Sequence, residues 1–309
     1  MRVPQPTERV PQSAESPKSF PALPVPRSET GRAALAALLA DPARSLIGLD
    51  FDGTLAPIVP EPAQARALPA ATAALRRLSG LVGTLAIITG RPAREAVAFA
   101  SLEEVPGIVV LGHYGRQRWS GGTLTAPPPP AGLAEARDRL PAVLEAARAA
   151  EGTWVEDKGD ALAVHTRRTA DPRAALERVG APLAKLAAET GLAVEPGRMV
   201  IELRPPGADK GLALRELVAQ RDAGAVLYGG DDLGDRPAFA AVRELRAAGL
   251  PGLVVCSGSA EVSDLAQEAD LVVDGPEGVV ALLTALADAL EAHSWPPGNV
   301  DVPEVTPKG

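Results

Sequence analysis

The chain has 309 residues, a formal net charge of −8 at pH 7, 46% apolar residues and only 3% aromatic residues. The length fits one large domain or two ordinary ones, and the acidic balance argues against a nucleic acid or an anionic membrane as partner. The single cysteine, Cys256, excludes an intrachain disulfide and a cysteine-rich metal site. The sequence has no run of about twenty apolar residues and no hydrophobic N-terminal signal segment, so we expect a cytoplasmic protein.

The two ends of the chain differ in character from the rest. Residues 1–28 are rich in proline, serine and charge and lack hydrophobic periodicity, which predicts a disordered Pro-rich leader. A partner-binding polyproline II segment around Pro21–Pro26 is the alternative interpretation. Residues 296–309 also look unstructured and predict a flexible tail.

Short apolar runs alternate with segments of helical periodicity over much of the remaining chain. The predicted strands are 46–49, 85–88, 108–111, 225–228, 253–255 and 271–273, and the predicted helices are 31–40, 69–79, 92–99, 210–220, 237–248, 260–268 and 277–292. This alternation predicts an α/β fold with a parallel sheet covered by helices on both faces. In such folds ligands bind beyond the C-terminal ends of the strands.

The alternation breaks over residues 113–205. The pattern there predicts a strand (116–124), a helix (131–150), two strands (153–157 and 161–167), a second helix (172–189) and two further strands (192–195 and 199–204). Short paired strands joined by turn residues favour an antiparallel sheet. We therefore predict an α+β unit at 113–205, inserted between two segments of the α/β core at 29–112 and 206–295.

A pair of aspartates follows the first predicted strand, in the sequence Asp50-Phe51-Asp52-Gly53-Thr54. If the backbone stays extended, Asp50 and Asp52 lean to the same side, and Gly53 then lets the chain turn sharply. Burying two like charges is costly unless positive charge compensates, which points to a metal ion and a phosphate site. This arrangement suits phosphoryl transfer through an aspartyl-phosphate, in which one carboxylate attacks phosphorus and the second moves protons.

Two further elements are expected at the same edge of the sheet. Thr89 and Gly90 end the second predicted strand where a helix begins, and a hydroxyl with backbone N–H groups there forms an anion site. The alternative for Thr89 is an ordinary helix N-cap. Lys210 stands in the first turn of another helix, where its charge opposes the helix dipole. We assign Lys210 to phosphate and to Asp50; a solvated surface lysine is the alternative.

Asp231 and Asp235 follow the predicted strand 225–228. Their four-residue spacing places them on one side of a helical turn. Mg²⁺ prefers oxygen ligands and keeps several waters, so two or three protein groups are sufficient. An aspartate-rich capped loop is the alternative interpretation.

As a set, these elements resemble the pattern of the haloacid dehalogenase superfamily. The matching positions are DxDGT at 50–54, Thr89, Lys210 and GDxxxD at 230–235. The resemblance implies a Rossmann-like parallel-sheet core with an inserted cap domain, and it covers about residues 30–293.

The resemblance also implies roles for individual residues. Asp50 would be the nucleophile, and Asp52 would protonate the departing sugar oxygen and then activate water. Thr89, Gly90 and Lys210 would bind phosphate. Mg²⁺ would be held by Asp50, the main-chain carbonyl of Asp52 and Asp231, with Asp235 in support.

The inserted segment resembles the cap of the trehalose-6-phosphate phosphatases and related sugar-phosphate phosphatases. The strings that carry the resemblance are 155–159 (VEDKG), 163–167 (AVHTR) and 201–205 (IELRP). It implies sugar contacts from Glu156, Lys158, His165 and Glu202, to which we add Arg91 and Tyr114. Alternatively, Glu156 and Lys158 are solvated turn residues and His165 is a packed strand residue. Glu202 would then only brace Lys210 or an arginine.

Two positions depart from that family's pattern. The family usually carries Thr-Asp-Glu where this chain has Gly234-Asp235-Arg236. It commonly has His-Gly after the third strand, where Tyr114 stands in the histidine position with His113 one place earlier. A divergent subgroup, a different sugar phosphate and a loss of function are the interpretations left open.

The sequence therefore predicts a Mg²⁺-dependent phosphatase that converts trehalose 6-phosphate to trehalose and phosphate. One alternative is a phosphatase for sucrose phosphate or a glycosyl phosphoglycerate. Another is a non-catalytic partner of a trehalose-phosphate synthase, and the leader keeps such a partner open as an addition to catalysis.

Overall fold

The computed structural model describes residues 23–129, 131–197, 199–258 and 263–294, which form two β-sheets and their covering helices. The strands are β1 (Ser45–Leu49), β2 (Thr84–Ile88), β3 (Val109–Gly112), β4 (Gln117–Ser120), β5 (Thr123–Thr125), β6 (Trp154–Asp157), β7 (Leu162–His165), β8 (Ala193–Gly197), β9 (Val200–Arg204), β10 (Ala225–Gly230), β11 (Gly252–Gly258) and β12 (Leu271–Asp274). The α-helices are α1 (Glu29–Ala40), α2 (Pro69–Leu78), α3 (Ala93–Phe99), α4 (Ala131–Ala146), α5 (Pro172–Thr190), α6 (Lys210–Arg221), α7 (Arg236–Ala247), α8 (Ser263–Glu268) and α9 (Gly275–Ser294).

The larger sheet has the strand order β12-β11-β10-β1-β2-β3-β4-β5. The strands from β12 to β3 run parallel, and β4 and β5 are added antiparallel. Every residue of β1, β2 and β10 is buried, as expected for continuous apolar runs in a parallel sheet. Helices α1, α2, α3 and α9 pack on one face, and α6, α7 and α8 pack on the other. The predicted Rossmann-like α/β core is confirmed.

The smaller sheet is antiparallel, with the order β6-β7-β9-β8. Helices α4 and α5 cover one face, where Leu162, Val164 and Ile201 join their apolar residues. Because side chains alternate along a strand, the residues between them point to the opposite face. This opposite face carries polar side chains and is called the cap face below.

The hairpin β4–β5 corrects one part of the sequence prediction. The pattern predicts a single strand over 116–124 inside the insert, whereas the structure has two strands that extend the larger sheet beyond β3. Gly121 and Gly122 join them with φ values of +56° and +81°, the left-handed backbone of a tight hairpin turn. The segment therefore belongs with the core sheet, and the second sheet begins at β6. The remaining domain boundaries stay predictions.

The ends of the described chain extend the core slightly. Residues 23–28, predicted as the end of the leader, contact the core: Ser28 caps α1 by accepting a hydrogen bond from the Gly31 N–H, and the Arg27 N–H donates to the Asp270 carbonyl. Residues 1–22 and the predicted tail 296–309 lie outside the described residues, as does the beginning of the predicted helix 260–268. Among the helices that the structure describes, none is long and apolar enough to cross a membrane.

Candidate active site

The carboxyl ends of β1 and β10 bring two aspartates together. The strands pair in parallel with Leu49 opposite Gly229, so Asp50 and Asp231 follow at the same edge of the sheet. Both side chains are buried. Gly53 turns the chain with a φ of +70°, and a Cβ at this position would lie 2.0 Å from Asp231 Oδ2. Only glycine therefore fits between the aspartate pair and Asp231.

Lys210 lies between two of these carboxylates. Its Nζ is 2.8 Å from Asp50 Oδ1 and 2.8 Å from Asp235 Oδ1, and the residue is 4% exposed. Burial opposes its charged form, but the carboxylates of Asp235 and Asp50 outweigh this effect and raise the pKa of Lys210. The interpretation of Lys210 as a solvated lysine is therefore wrong.

Asp235 is fully buried and saturated with hydrogen bonds. Its Oδ1 accepts from Lys210 Nζ and from the Tyr228 hydroxyl at 2.7 Å. Its Oδ2 accepts from the backbone N–H groups of Asp231 and Asp232 at 3.0 and 3.2 Å. These four contacts occupy both oxygens, so Asp235 braces Lys210 and the loop rather than offering a free ligand atom.

Four aspartates form a cluster with the chemistry of a cation site. Asp50, Asp231, Asp232 and Asp235 each place a carboxylate oxygen within 4.8 Å of the others. Burial, followed by the charges of Asp50 and Asp235, raises the pKa of Asp231 to about 10. Burial and Asp235 also raise the pKa of Asp50, against the opposing effect of Lys210. A single lysine does not balance this negative charge, so a divalent cation fits the cluster.

Asp52 points away from this cluster and pairs with Arg91. Arg91 Nε donates to Asp52 Oδ2 at 2.7 Å, and Arg91 Nη2 donates to Asp52 Oδ1 at 2.8 Å. The Asp52 side chain therefore stands outside the carboxylate cluster, which leaves its main-chain carbonyl as the group that the resemblance assigns to the metal.

Thr89 and Gly90 lie beside the short turn His113–Gly115 that follows β3, which is called the hinge below. The Thr89 hydroxyl is buried and accepts from the Arg91 N–H at 3.2 Å. The N-cap of α3 is Pro92, so the interpretation of Thr89 as its N-cap is wrong. The Tyr114 N–H donates to the Thr89 carbonyl at 2.9 Å, and the Tyr114 hydroxyl lies 2.8 Å from the position of a Cβ on Gly90. The hinge thus packs directly on the predicted phosphate-binding segment.

The cap face brings the four predicted sugar ligands together as two pairs. Lys158 Nζ donates to Glu202 Oε2 at 2.6 Å, and His165 Nε2 lies 2.9 Å from Glu156 Oε2. Burial opposes the charge of Lys158, but Glu202 raises its pKa overall. Neither Lys158 nor Glu156 is a freely solvated turn residue, because both are partly buried in these pairs.

One electrostatic effect and one ion pair connect the cap with the core. Burial lowers the pKa of Arg91, but Asp52 outweighs this effect, and the negative charges of Glu95 and Glu156 make smaller contributions that also raise the pKa. Arg168, which stacks on the Trp154 ring at 4.1 Å, forms an ion pair with Glu61 in the loop between β1 and α2. The sugar-type ligands and the buried carboxylates therefore face a common region.

The trehalose-phosphatase family model matches residues 48–274. This chain belongs to the trehalose-phosphatase family. A trehalose-phosphate phosphatase of Mycobacterium avium (strain 104) is 35% identical over 259 residues, which are 78% of this chain and 62% of that protein. The chain thus spans about three fifths of the length of this relative.

Two solved structures show the same fold. The C-terminal domain of Candida albicans trehalose-6-phosphate phosphatase has a TM-score of 0.70 at 22% identity and covers 86% of this chain and 99% of that domain. The C-terminal domain of the Candida albicans trehalose synthase regulatory protein has a TM-score of 0.60 at 14% identity. The match covers 85% of this chain and 99% of that domain. The predicted haloacid dehalogenase fold with an inserted cap is confirmed.

The positions that depart from the trehalose-phosphatase pattern are structurally accommodated. The Gly234 N–H donates to Asp232 Oδ1 at 2.9 Å and helps to fix the loop of the last motif. Arg236 points to α8, where it pairs with Glu268 at 2.9 Å. At the hinge, His113 and Tyr114 adopt left-handed backbone with φ values of +46° and +58°. The guanidinium of Arg204 lies 4.5 Å from the centre of the Tyr114 ring.

The structure adds residues that sequence reasoning missed. Tyr228 belongs to a strand that reads as purely apolar, yet its hydroxyl reaches Asp235 because its ring packs against Gly48 of β1. Asp232 joins the carboxylate cluster beside the two aspartates of the motif. The signal that could have identified Tyr228 is its hydroxyl group, which is a polar group within an otherwise apolar strand.

Proposed function

We propose that this protein is a phosphatase that hydrolyses trehalose 6-phosphate to trehalose and phosphate through an aspartyl-phosphate intermediate. The observation that carries the proposal is the buried network in which Lys210 holds Asp50 against Asp235 at the carboxyl end of β1. A carboxylate kept in place beside a fixed positive charge suits nucleophilic attack on an anionic phosphate ester.

The reaction proceeds in two steps. An Asp50 oxygen attacks phosphorus while the bond from phosphorus to the sugar oxygen breaks, and Asp52 donates a proton to that oxygen. Water then attacks the phosphorus of the aspartyl-phosphate and Asp52 takes its proton, which releases inorganic phosphate and restores Asp50. Lys210, Thr89 and the backbone at Gly90 bind the phosphoryl oxygens.

A divalent cation, which we propose to be Mg²⁺, fits the carboxylate cluster beside Asp50. Asp50, Asp231 and the main-chain carbonyl of Asp52 would hold it, with Asp235 bracing the loop. When bound, the cation would neutralise charge on the phosphoryl oxygens. Its hard character matches the all-oxygen donor set.

The cap face supports a sugar as the leaving group. Glu156, Lys158, His165 and Glu202 offer carboxylate, ammonium and imidazole groups that suit the many hydroxyls of a disaccharide. Arg91 and Tyr114 were also predicted as substrate ligands. In the structure Arg91 pairs with Asp52, and the Tyr114 hydroxyl packs beside Gly90. The named relative from Mycobacterium avium supports trehalose phosphate as the specific sugar phosphate.

Two alternatives remain open to experiment. A different phosphosugar, such as sucrose phosphate or a glycosyl phosphoglycerate, would use the same core with other cap contacts. A non-catalytic partner of a trehalose-phosphate synthase is favoured by the likeness to a regulatory protein, but the complete set Asp50, Asp52, Thr89, Lys210 and Asp231 argues for catalysis. The synthase partner and the cytoplasmic location stay predictions.

Phosphate release from a panel of phosphate esters tests the proposal. The panel holds trehalose 6-phosphate, sucrose 6-phosphate, glucose 6-phosphate and p-nitrophenyl phosphate, each with Mg²⁺ and with EDTA. We expect the highest kcat/KM for trehalose 6-phosphate and loss of activity in EDTA. A metal-dependent preference for another sugar phosphate would overturn only the assignment of trehalose 6-phosphate as substrate. Inactivity on all four esters would favour the non-catalytic partner.

A further inference from the structure

Arg91 makes an interaction that the family resemblance does not assign. Its side chain is 9% exposed and grips both oxygens of the Asp52 carboxylate, from Nε at 2.7 Å and from Nη2 at 2.8 Å. Such a fork-to-fork pair fixes the plane of the carboxylate as well as its position, because two parallel hydrogen bonds remove rotation about the last side-chain bond.

The guanidinium is itself held from other directions. Nη2 also donates to the Pro62 carbonyl at 2.9 Å, and Nη1 lies 3.7 Å from Glu95 Oε2. The Phe51 and Phe99 rings lie 5.5 and 5.3 Å from its central carbon. Asp52, in contrast, keeps a third of its side chain exposed. Arg91 is therefore the rigid member of the pair, and it sets the orientation of the more mobile carboxylate.

We infer that Arg91 is a positioning residue for Asp52 and acts mainly on the second step, the hydrolysis of the aspartyl-phosphate. This inference rests on the proposed function. A guanidinium has only N–H donors, so its two hydrogen bonds are made to the carboxylate form of Asp52. That form, held in one orientation, is the one that accepts a proton from the attacking water.

The first step makes the opposite demand on the same pair. To protonate the sugar oxygen, Asp52 has to carry a hydrogen on one of the oxygens that Arg91 contacts, so at least one of the two hydrogen bonds breaks. Glu95, whose Oε2 lies 3.7 Å from Arg91 Nη1, offers the guanidinium another acceptor when Asp52 turns away, and Glu156 of the cap adds negative charge nearby. Arg91 thus separates the two tasks of Asp52 by orientation.

The two steps can be measured separately with p-nitrophenyl phosphate. Its leaving group departs without a proton, so kcat/KM reports attack by Asp50 with little demand on Asp52, whereas kcat includes hydrolysis of the intermediate. The variants are Arg91→Ala and Arg91→Lys. Arg94→Ala is the matched control, because Arg94 is an exposed arginine in the first turn of α3, three positions after Arg91.

For Arg91→Ala we expect kcat to fall about 10²-fold, the size of effect that a misplaced catalytic group produces. We expect kcat/KM for p-nitrophenyl phosphate to change less than about threefold. Acid quenching should trap phosphoenzyme close to the active-site concentration. The kcat of Arg91→Lys should lie between those of Arg91→Ala and the wild type. Guanidinium at a non-denaturing concentration should partly restore the kcat of Arg91→Ala. Arg94→Ala should have the kcat and kcat/KM of the wild type.

A parallel fall of kcat and kcat/KM in both Arg91 variants, without trapped phosphoenzyme and without guanidinium rescue, would overturn the inference and assign Arg91 to substrate binding or to folding. In that case wild-type turnover on the panel above still stands, so the proposed function survives. A wild-type protein that forms no phosphoenzyme and releases no p-nitrophenol would overturn both.

Discussion

The core site and the cap face both contain paired charges, but the pairs differ in kind. Lys210 lies between Asp50 and Asp235, and all three side chains are almost completely removed from solvent. On the cap face, the His165–Glu156 pair keeps 13% and 29% of its side chains exposed and joins two adjacent strands of one small sheet. The core pairs are built into the edge of the larger sheet, whereas the His165–Glu156 pair is partly exposed and the Lys158–Glu202 pair has 16% and 6% of its side chains exposed.

This difference indicates how each region contributes to catalysis. A buried charge network has little freedom to rearrange, so it presents the nucleophile in one geometry and needs no reorganisation during the reaction. Partly exposed pairs lose less when they separate, because water or ligand hydroxyls can replace the lost partner. We therefore expect changes in the core to affect kcat and changes on the cap face to affect KM.

The largest expected effect comes from Asp50→Asn. The substitution keeps the shape of the side chain and removes the nucleophile, so we expect kcat to fall by at least about 10³-fold. The fold should persist, because Lys210 keeps Asp235 and one charge leaves a crowded cluster. Phosphate release and thermal unfolding measure the two effects. Retained turnover at more than a tenth of the wild-type rate would remove Asp50 from its assigned role.

The Lys158–Glu202 pair sharpens the comparison through a double-mutant cycle. Lys158→Met leaves the buried Glu202 carboxylate without its partner, so we expect a loss of about 2 kcal/mol in unfolding free energy, mostly recovered when Glu202→Gln is added. Each variant should raise KM for the sugar phosphate and leave kcat/KM for p-nitrophenyl phosphate nearly unchanged. Denaturant titration and steady-state kinetics check these outcomes. Equal losses on both substrates would show that the cap pair supports the core chemistry.

Tyr228→Phe tests how far the core network depends on its second layer of contacts. The variant removes the hydroxyl that donates to Asp235 and leaves Lys210 in place, so we expect a loss of about 1–2 kcal/mol in stability. We also expect a fall in kcat below about tenfold, because Lys210 still contacts Asp50. Thr72→Val is the control, since it removes one hydrogen bond, to the Ala100 carbonyl, that is not part of this network. A change in KM alone would contradict the assignment of Tyr228 to the core network.

His113 gives the smallest expected effect, through pH. Burial lowers its pKa below 6.5, so the unfolded chain binds the proton more readily than the folded protein. The neutral imidazole therefore contributes its full share of folding stability above about pH 6.5. This contribution is lost as the pH falls toward the lowered pKa of the folded protein. In His113→Asn, whose side chain tolerates the left-handed backbone, the difference in Tm between pH 7.5 and pH 5.5 should shrink. An unchanged difference would place the acid sensitivity elsewhere.

The sequence indicated which residues of the core come together, because the signals for their placement are local. Apolar runs define β1 and β10, and the residues that follow them must lie at one edge of a parallel sheet. The contact of Lys210 with Asp50 follows from that placement and from the need to balance buried charge, whereas its contact with Asp235 was not predicted. The turn at Gly121–Gly122 was missed, although two adjacent glycines between short strands are a common hairpin signal.

The remaining contacts depend on distances that the sequence does not contain. Arg91 is 39 positions from Asp52, and their pairing requires the loop after β1 to bring Pro62 and Asp52 to the same guanidinium. The pairs on the cap face depend on the register between β6, β7 and β9. Residue types alone indicated polar ligands there, but not which residue contacts which.

The stacked arrangement around Trp154 has an optical consequence. The indole stacks on the imidazole of His165, with ring centres 4.4 Å apart, and also contacts the guanidinium of Arg168, which forms an ion pair with Glu61. Any separation of the two sheets that breaks the Arg168–Glu61 contact changes the surroundings of this chromophore, while Trp119 remains buried in the larger sheet. The emission of Trp154 is therefore an intrinsic signal of the distance between the cap and the core.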